Sequence, residues 1–482
     1  MSDLLSILSG AATSLAAQRA VLATAGHNIN NANTPGYARQ IASLETITPA
    51  EQVNGAFIGR GATLGTVSQA RDRFLEAQIP RAMGDAAFST AQSDALQAFH
   101  ALDVTDTGGL DSAISTFFTS LRALAQNAGD SGLRASFLGA AQALARTFNS
   151  TASGIESARS GLDAEASGLA GQITTEAQAV AQLNVQIRQA RGSGAEPNDL
   201  LDLRQRHLDK LAELAGATTV PTSEGDVNVT LPSGVALVAG NRAGSLSTTA
   251  DGSGHLDIQI TLPGGSGPTT LSSSALGGSL GGTLSARDGA LRTAGERVDR
   301  LAFDLARAVN SAHQGGYGLD GSTGLALFAP EDATPNDVTD DVVAGAASQM
   351  AVVITDPARL ALAAALAPGK TVPAPGDAGN VTRTDGRGLL DTETKGFTGG
   401  KDVQATLSDI VSQFGSSTAN AKAYADQDGA IKDHLTSLRD SYSGVSIDEE
   451  MITMQQAQRG YEAIAKVIQT ADQMLETLLN LR

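Results

Sequence analysis

The sequence has no cysteine and no tryptophan, and aromatic residues make up only 4% of it. Without cysteine there are no disulfides, no thiolate nucleophile and no zinc–thiolate site. Positive charge is also scarce: the net charge is -18 over 482 residues, which argues against nucleic acid as a partner, because phosphate binding needs a basic face. The six histidines are scattered singly, a poor pattern for a metal centre, and no cofactor is expected. No apolar run approaches the length that spans a bilayer, so no membrane insertion is expected. Residues 1–26 lack a basic n-region, and their apolar residues are spaced like a helix face and not bunched as in a signal peptide. With few large anchors and abundant Ala, Ser, Thr, Gln and Gly, the composition suits long, thin helices with small residues at their contacts, joined to Gly/Thr-rich β modules. The length allows two to four domains and a sizeable core.

What is present is strongest at the end of the chain, in residues 443–482. Stepping alternately three and four residues from Met454 selects Ala457, Tyr461, Ile464, Ile468, Ala471, Leu475 and Leu478, an unbroken apolar heptad seam. Val467, Met474 and Leu481 widen it, while Glu462, Lys466, Gln469, Gln473 and Glu476 occupy the opposite face. Ser446 followed by Glu449 reads as a capping box, with Asp448, Glu449 and Glu450 placed against the positive end of the helix dipole. Gly444 can end the preceding helix.

The same step from Leu4 returns Leu8, Ala11, Leu15, Gln18, Leu22, Ala25 and Ile29. Both ends of the sequence are therefore seam helices, about 45 Å and about 54 Å long at 1.5 Å per residue. The N-terminal seam is thin: Leu8, Leu15, Leu22 and Ile29 contribute at most about 6 to 12 kcal/mol if fully buried. Ordering about 30 residues costs several times that before hydrogen bonding offsets it. The expectation is a helix that is frayed in the free chain and forms against residues 446–481 and neighbouring subunits.

The helix is followed by HNINNANTPGYARQ, residues 27–40. Asn side chains cap helix ends and tolerate left-handed backbone, Pro35 pushes Thr34 out of helix, and Gly36 suits a turn. This run, with Asn28, Asn31, Asn33, Thr34, Pro35, Gly36 and Tyr37, paired with the GVSIDEEM…QAQRGYEAIAKVIQTADQMLETLLNL ending, resembles the flagellar axial protein family of rod, hook and hook-associated proteins. Asn30 departs from the family's usual Ala without disturbing the turn. In that family the two terminal helices form the inner tube of the axial structure.

Two internal stretches resemble the hook-associated members more than rods or hooks. One is GRGATL at residues 59–64 with RDRFLEAQ at 71–78, a β segment passing into a helix. The other is Leu183-Asn184 through Ile187, then Asn198-Asp199-Leu200-Leu201-Asp202 with Arg204 two further on. Physically the second belongs to a helical hairpin: residues 192–197 make the turn, and Asn198 can cap the helix that runs to Leu214. Asp202 and Arg204 as a catalytic pair lack any nearby nucleophile or histidine.

Between residues 71 and 190 the pattern is helical with breaks at Gly108-Gly109 and residues 129–132, giving three or more long helices. Residues 218–284 then alternate Val, Thr and Leu with turn formers, and 227–231, 235–238 and 255–262 read as strands. Gly277-Gly278-Ser279-Leu280-Gly281 formally matches a hydrolase nucleophile elbow, but 269–275 before it is polar and no triad is marked. Residues 278–288 lead into a helix through His313. Residues 315–400 read as a small β-rich unit or an exposed variable region, with one helical stretch at 356–366. Heptad spacing returns from Val403 through Leu407, Ile410, Phe414, Ala421, Tyr424, Ile431, Leu435 and Leu438 to Tyr442, interrupted at Ser417 and Asp428.

The expected fold is multidomain α+β with discontinuous, nested domains. Paired coiled-coil helices at the termini come from 1–45 with 443–482. A long-helix bundle comes from 46–216 with 284–330 and 401–442, a β-rich insertion from 217–283, and a variable outer region from 331–400. The resemblance implies a non-enzymatic structural subunit of the bacterial flagellum at the hook–filament junction, extracellular after export unfolded through the flagellar type III pathway. It implies the hook protein and hook-associated protein 3 as neighbours, self-association in a ring, and a cytoplasmic export chaperone on the C-terminal helix. A hook or distal-rod protein is the rival within the class, and a secreted hydrolase sharing export-type termini is the rival outside it. Replacing Ser279 with Ala separates the last of these: swimming-plate motility is expected to be unchanged, whereas loss of a hydrolytic activity favours the hydrolase.

Overall fold

The structure is a computed structural model; it describes residues 2–47, 51–53, 56–99, 109–194, 196–252, 254–265, 267–329, 343–364, 371, 389–394 and 401–480. Helix α1 (Ser2–Asn30) leads into a hairpin of β1 (Gln40–Thr46) and β4 (Ala62–Gln69), whose arms are linked through the short pair β2 (Glu51–Val53) and β3 (Ala56–Ile58). The expected domain boundary at 45/46 falls inside β1, so the hairpin is one unit across it. Four helices follow: α2 (Arg73–Gln97), α3 (Leu110–Gln126), α4 (Ser131–Gly192) and α5 (Asn198–Ala215). Asp72 and Asp130 cap α2 and α4 by accepting backbone N–H bonds from Phe74 and Leu75, and from Leu133.

Helix α4 has 62 residues, a rod of about 93 Å at 1.5 Å per residue. Its two halves serve two cores. Phe137, Leu144 and Phe148 pack in the first, with α3 and with α7 (Arg292–Gln314). Ile173, Ala177 and Val180 pack in the second, with α5 and the β module. The α4–α5 turn lies at the expected residues, but Asn198 does not cap α5. Pro197 holds the cap position without a side-chain bond, and the Asn198 amide is diverted to the Val67 carbonyl.

The β module is two antiparallel sheets. One is β5 (Thr218–Pro221), β6 (Val227–Thr230), β7 (Ala236–Ala239) and β8 (Arg242–Ala243); the other is β9 (Ser245–Ala250), β10 (Leu256–Thr261) and β11 (Thr269–Leu271), with β10 central. Val229, Val238, Ile258 and Ile260 share their core with α4 and α5, so these sheets are a layer on the helices. Buried polar ties fasten the layer. Arg287 pairs with Asp163 of α4 and donates to the Leu256 carbonyl at 2.7 Å, while Asp163 Oδ2 lies 2.9 Å from His255 Nδ1. Arg287 sits in a one-turn π segment, Ala286–Leu291, between α6 (Gly278–Ser285) and α7, which aims it into that cluster.

The Gly277–Gly281 run is explained by packing. A side chain on Gly278 would lie 2.4 Å from the Glu213 carbonyl oxygen, and its φ of +59° is left-handed. Glycine lets α6 touch the end of α5, and the Ser279 hydroxyl donates to that same Glu213 carbonyl at 3.4 Å.

Among the described residues of 315–400, the β character expected there is a pairing of Phe328–Ala329 with Ala351–Val352 and two isolated bridges at Tyr317. The helical stretch at 356–366 is a single 3-10 turn, Pro357–Arg359, followed by extended chain; residues 365 and 366 lie outside the described residues. The turn ends because Leu360 and Leu362 are drawn into the first core, and the buried Arg134 guanidinium takes the Pro357 and Leu360 carbonyls at 3.0 Å each. Val343, Ala347, Met350, Ile354 and Leu389 join the same core, so these segments are packed and not an outer unit.

The chain closes with α8 (Val403–Ser443), lying along α2, and α9 (Ile447–Asn480), lying along α1. Val403, Leu407, Ile410 and Ala421 of the expected heptad are buried, but Tyr424, Ile431, Leu438 and Tyr442 are exposed. In the lower half, Asp428 turns inward and accepts the Ser89 hydroxyl of α2.

The N-terminal helix is formed in the structure and lies along α9, the partner expected for it at residues 446–481. The sequence reading omitted two supports. The Ser14 hydroxyl accepts the Ala62 N–H at 2.9 Å, and Gly10 lies so close to Arg60 that a side chain there would meet its carbonyl oxygen at 2.2 Å. Burial is greatest toward its end, at Ala17, Ala25 and Asn28. Hydrogen exchange in the dilute monomer is therefore expected to show protection rising from residue 7 to residue 28. Uniformly fast exchange through Asn28 contradicts this packing.

Candidate functional site

The terminal pair and the joint that connects it to the bundle contain most of the residues singled out above. On α1, Leu8, Leu15 and Ile29 are half-buried and Leu22 is exposed, while the buried positions are small: Gly10, Ala17 and Ala25. On α9, Ala457 and Ala471 are buried, and Met454, Tyr461, Ile464, Ile468 and Leu475 are half-buried. Gly460 lies against Gln18, where a side chain would stand 3.1 Å from the glutamine Cδ. The side chains of Leu4 and Leu478 lie outside the described residues, as does Leu481. Small residues thus bring the helices close and leave the larger ones on the flanks of the pair. Val467 is 50% and Met474 55% exposed, so among the described residues nothing covers these two positions of the second apolar line of α9.

Below the pair, the turn is held by Asn28. Its Oδ1 accepts the Gln40 N–H at 2.9 Å and its Nδ2 donates to the Gln40 carbonyl at 2.8 Å, a side-chain imitation of a strand partner. The same Oδ1 takes the Tyr37 hydroxyl at 2.7 Å, and His27 Nδ1 lies 3.1 Å from the phenol oxygen. Burial, together with the charges of Asp202, Asp199 and Glu450, pushes the Tyr37 phenol well above its ordinary range, so it acts as a fixed donor. Asn31 ends α1 by donating to the His27 carbonyl at 3.0 Å and accepts the Thr34 hydroxyl at 3.2 Å. Asn33, Thr34 and Pro35 are exposed, and Gly36 has a left-handed φ of +74° with Arg206 packed where a side chain would project.

The 198–204 motif faces this turn. Asn198 binds the Val67 carbonyl, and Asp199 accepts from the Gln40 side chain at 3.2 Å and lies 3.9 Å from His27. Asp202 takes Arg71 at 2.6 Å and Gln69 at 2.8 Å. Arg204 points elsewhere, donating to Asn184 of α4 and to the Gly225 carbonyl of the β module at 3.0 Å each. Asp202 and Arg204 therefore share no partner. Leu200 and Leu201 are half-buried. The motif is a connector that ties α5 to the hairpin, the turn, α4 and the β module at once.

The far side of the joint is closed by α8 and α9. Arg39 donates its N–H to the Ser443 carbonyl at 2.9 Å, and its guanidinium meets Glu449 at 2.9 Å. That contact takes the Glu449 side chain away from the capping box, of which the Ser446 half is made at 3.4 Å. At Gly444 a side chain would meet the Asp440 carbonyl at 2.2 Å, so glycine is required by crowding and not by a left-handed φ. A cleft of about 410 Å³ lies between the 32–38 turn, Arg71, Glu76, Asp209 and Arg439. Arg71 and Asn184 were noted in the sequence only as members of the 71–78 and 183–187 runs, and Gln69, Asp209 and Arg439 were not singled out, since their partners lie far away in the chain. No group of three or more His, Asp or Glu among the described residues is placed to hold a metal, and no described helix is long and apolar enough to cross a membrane.

The comparisons with known proteins agree with this architecture. Residues 100–328 match the family described as "Flagellar hook-associated protein FlgK helical domain", and residues 439–481 match "Flagellar basal body rod FlgEFG protein C-terminal". The chain is 26% identical to flagellar hook-associated protein 1 of Escherichia coli (strain K12), over 99% of this chain and 100% of that protein. It is also 26% identical to the protein of that name from Bacillus subtilis (strain 168), over 98% and 97%. A solved structure, the flagellar hook junction protein FlgK from Burkholderia pseudomallei, superposes with a TM-score of 0.66 at 18% identity, covering 77% of this chain and all of that one, and shares the fold. Fold and sequence together place the chain in the class of structural axial proteins of the bacterial flagellum. Within that class its likeness over the full length is to flagellar hook-associated protein 1.

Asp209 gives the joint a pH dependence. Burial pushes its carboxyl up to about 6, against the lowering effect of the Gln205 hydrogen bond and the Arg439 charge 3.8 Å away. With the folded value above the unfolded one, the native state binds more protons between about pH 4 and 6, so this group's contribution to stability falls as pH rises through that window. Asp209→Asn is therefore expected to be more stable than the parent at pH 7.5, by about 1 to 2 kcal/mol, with the gap closing toward pH 4.5. Urea unfolding at the two pH values checks both the sign and the trend.

Proposed function

We propose that this chain is the junction subunit between hook and filament, an adaptor between two tubular lattices with no catalytic step. The carrying observation is the uncovered apolar line Val467 and Met474 on the terminal pair, with Leu22 exposed on the other helix. Apolar surface of this kind on a helix pair is stabilised when a neighbour covers it, and subunits arranged about an axis with their termini inward do so. The subunits assemble as a ring, with the hook protein below and hook-associated protein 3 above.

Export runs unfolded through the flagellar type III pathway. A cytoplasmic chaperone covers the C-terminal stripe before export, and neighbouring subunits cover it afterwards. The rod-type match at 439–481 also fits a hook or distal-rod protein. The hook-associated helical match over 100–328 supports the junction reading instead.

The 217–283 segment lies far in sequence from both terminal helices and belongs, on this reading, to the outside of the axial structure. Deleting residues 455–482 is expected to abolish filament retention, with filament monomer shed into the medium and motility lost. Motile cells with normal filaments contradict the proposal. A tagged full-length copy should lie at the hook–filament boundary of isolated flagella.

A further inference from the structure

The bundle carries two surfaces that nothing among the described residues brings together. One is an open groove of about 710 Å³ between α2 and α4, reaching α5, α6 and α8. Small side chains line its middle, among them Ala87, Ala91 and Ala95 on α2 and Ala158 and Gly161 on α4, with Phe99, Leu162 and Leu169 adding apolar surface and Asp94, Glu165, Lys210, Glu213 and Lys432 charged positions. The other is the exposed stripe on α8: Tyr424 is 59% exposed, Ile431 47%, Leu438 43% and Tyr442 56%. In a chain with only five tyrosines, two stand on this one stripe. Tyrosine beside aliphatic residues on an exposed helix face is the composition of a protein interface.

Size and direction both fit. The groove follows α2 from Met83 to Ala98, about 22 Å, and of the stripe, about 27 Å from Tyr424 to Tyr442, the first three residues span about 21 Å. Tyr424, Ile431 and Leu438 are one heptad apart, the spacing at which large side chains of one helix enter gaps between small ones of another. Gly429 and Lys432 of α8 line the groove. Ile431, two positions beyond Gly429, lies about 200° around the helix from it. From Lys432 it is about 100° away, so the stripe faces outward beside the groove, and because α8 is itself a wall of that groove its stripe does not enter it within the chain.

We infer that the α8 stripe of one subunit docks in the α2–α4 groove of a second copy. The contact is heterologous, each copy offering a knob face on one side and a groove on the other, which is the geometry that generates rings and tubes by repetition. It rests on the proposal that the chain assembles in a ring, and it names the faces that meet. It lies in the bundle, so it is separate from the contacts of the terminal pair.

The absence of cysteine makes the contact directly testable. Thr90 is exposed midway along the groove and Ile431 midway along the stripe, so the pair meets whichever way the helices run. Two full-length chains, one with Thr90→Cys and one with Ile431→Cys, are expressed together, and the isolated flagella are oxidised. The expected product is a disulfide-linked dimer containing one chain of each kind, at least about tenfold above the yield with either chain alone. No excess over the single chains, with the tagged protein at the hook–filament boundary, overturns the contact and leaves the function proposed above intact. Linkage of Thr90→Cys to a different protein also overturns it. Mixed dimers with the tagged protein lying elsewhere support the contact and overturn the junction reading. A second variant, Ile431→Asp, changes an exposed position and is expected to lower incorporation into flagella while circular dichroism is unchanged; undiminished incorporation overturns the inference.

Discussion

One unbroken 62-residue helix bears both hydrophobic cores of this molecule. Because α4 contributes Phe137 to Phe148 to the first core and Ile173 to Val180 to the second, neither core can move without displacing the same rod. A helix of that length cannot be stable on its own propensity and depends on being packed along its length. Each core is thus a condition for the other. The β layer is also bound to this rod, through Asp163 at its middle and Asn184 near its end.

The polar joint solves a different problem. Two long terminal helices must leave the bundle at a set angle, and a hydrophobic contact between small residues is too non-directional to define one. Directionality comes from hydrogen bonds: Asn28 with the Gln40 backbone and Asp202 with Arg71 and Gln69 between buried or half-buried groups, and Arg39 with Ser443 and the exposed Glu449. Buried polar groups are costly when unpaired, so a partly opened joint is disfavoured relative to the closed one. The raised value at Asp209 is the residual cost of placing a carboxyl there, and it marks the joint as a place where geometry has been kept at the expense of stability.

Much of this was legible before the structure. Heptad spacing located α1, α8 and α9, glycine and proline located the α4–α5 turn, and alternation located β6, β7 and β10. The functional motifs were found as patterns, yet their partners were not. Asp202 meets Arg71 across 131 positions of chain, and no local periodicity encodes such a pairing. Asn198 shows the same limit, since as a residue type it favours a helix cap, but the hairpin carbonyl of Val67 competes for it and wins. The Gly277–Gly281 run misleads in the opposite sense, because a tight approach of two helices and a nucleophile turn both demand glycine for steric reasons.

By itself, the sequence determined which segments are helical, which faces of them are apolar, and that the two ends share one kind of seam. Those properties follow from spacing and residue type and are local. Only the tertiary structure decided which apolar residues are buried. On α1 and α9 the small residues are buried and the large ones flank them, and on the lower half of α8 the heptad stripe turns outward while Asp428 turns in. Spacing defines a face, but the direction that face takes is set by what the rest of the chain packs against it.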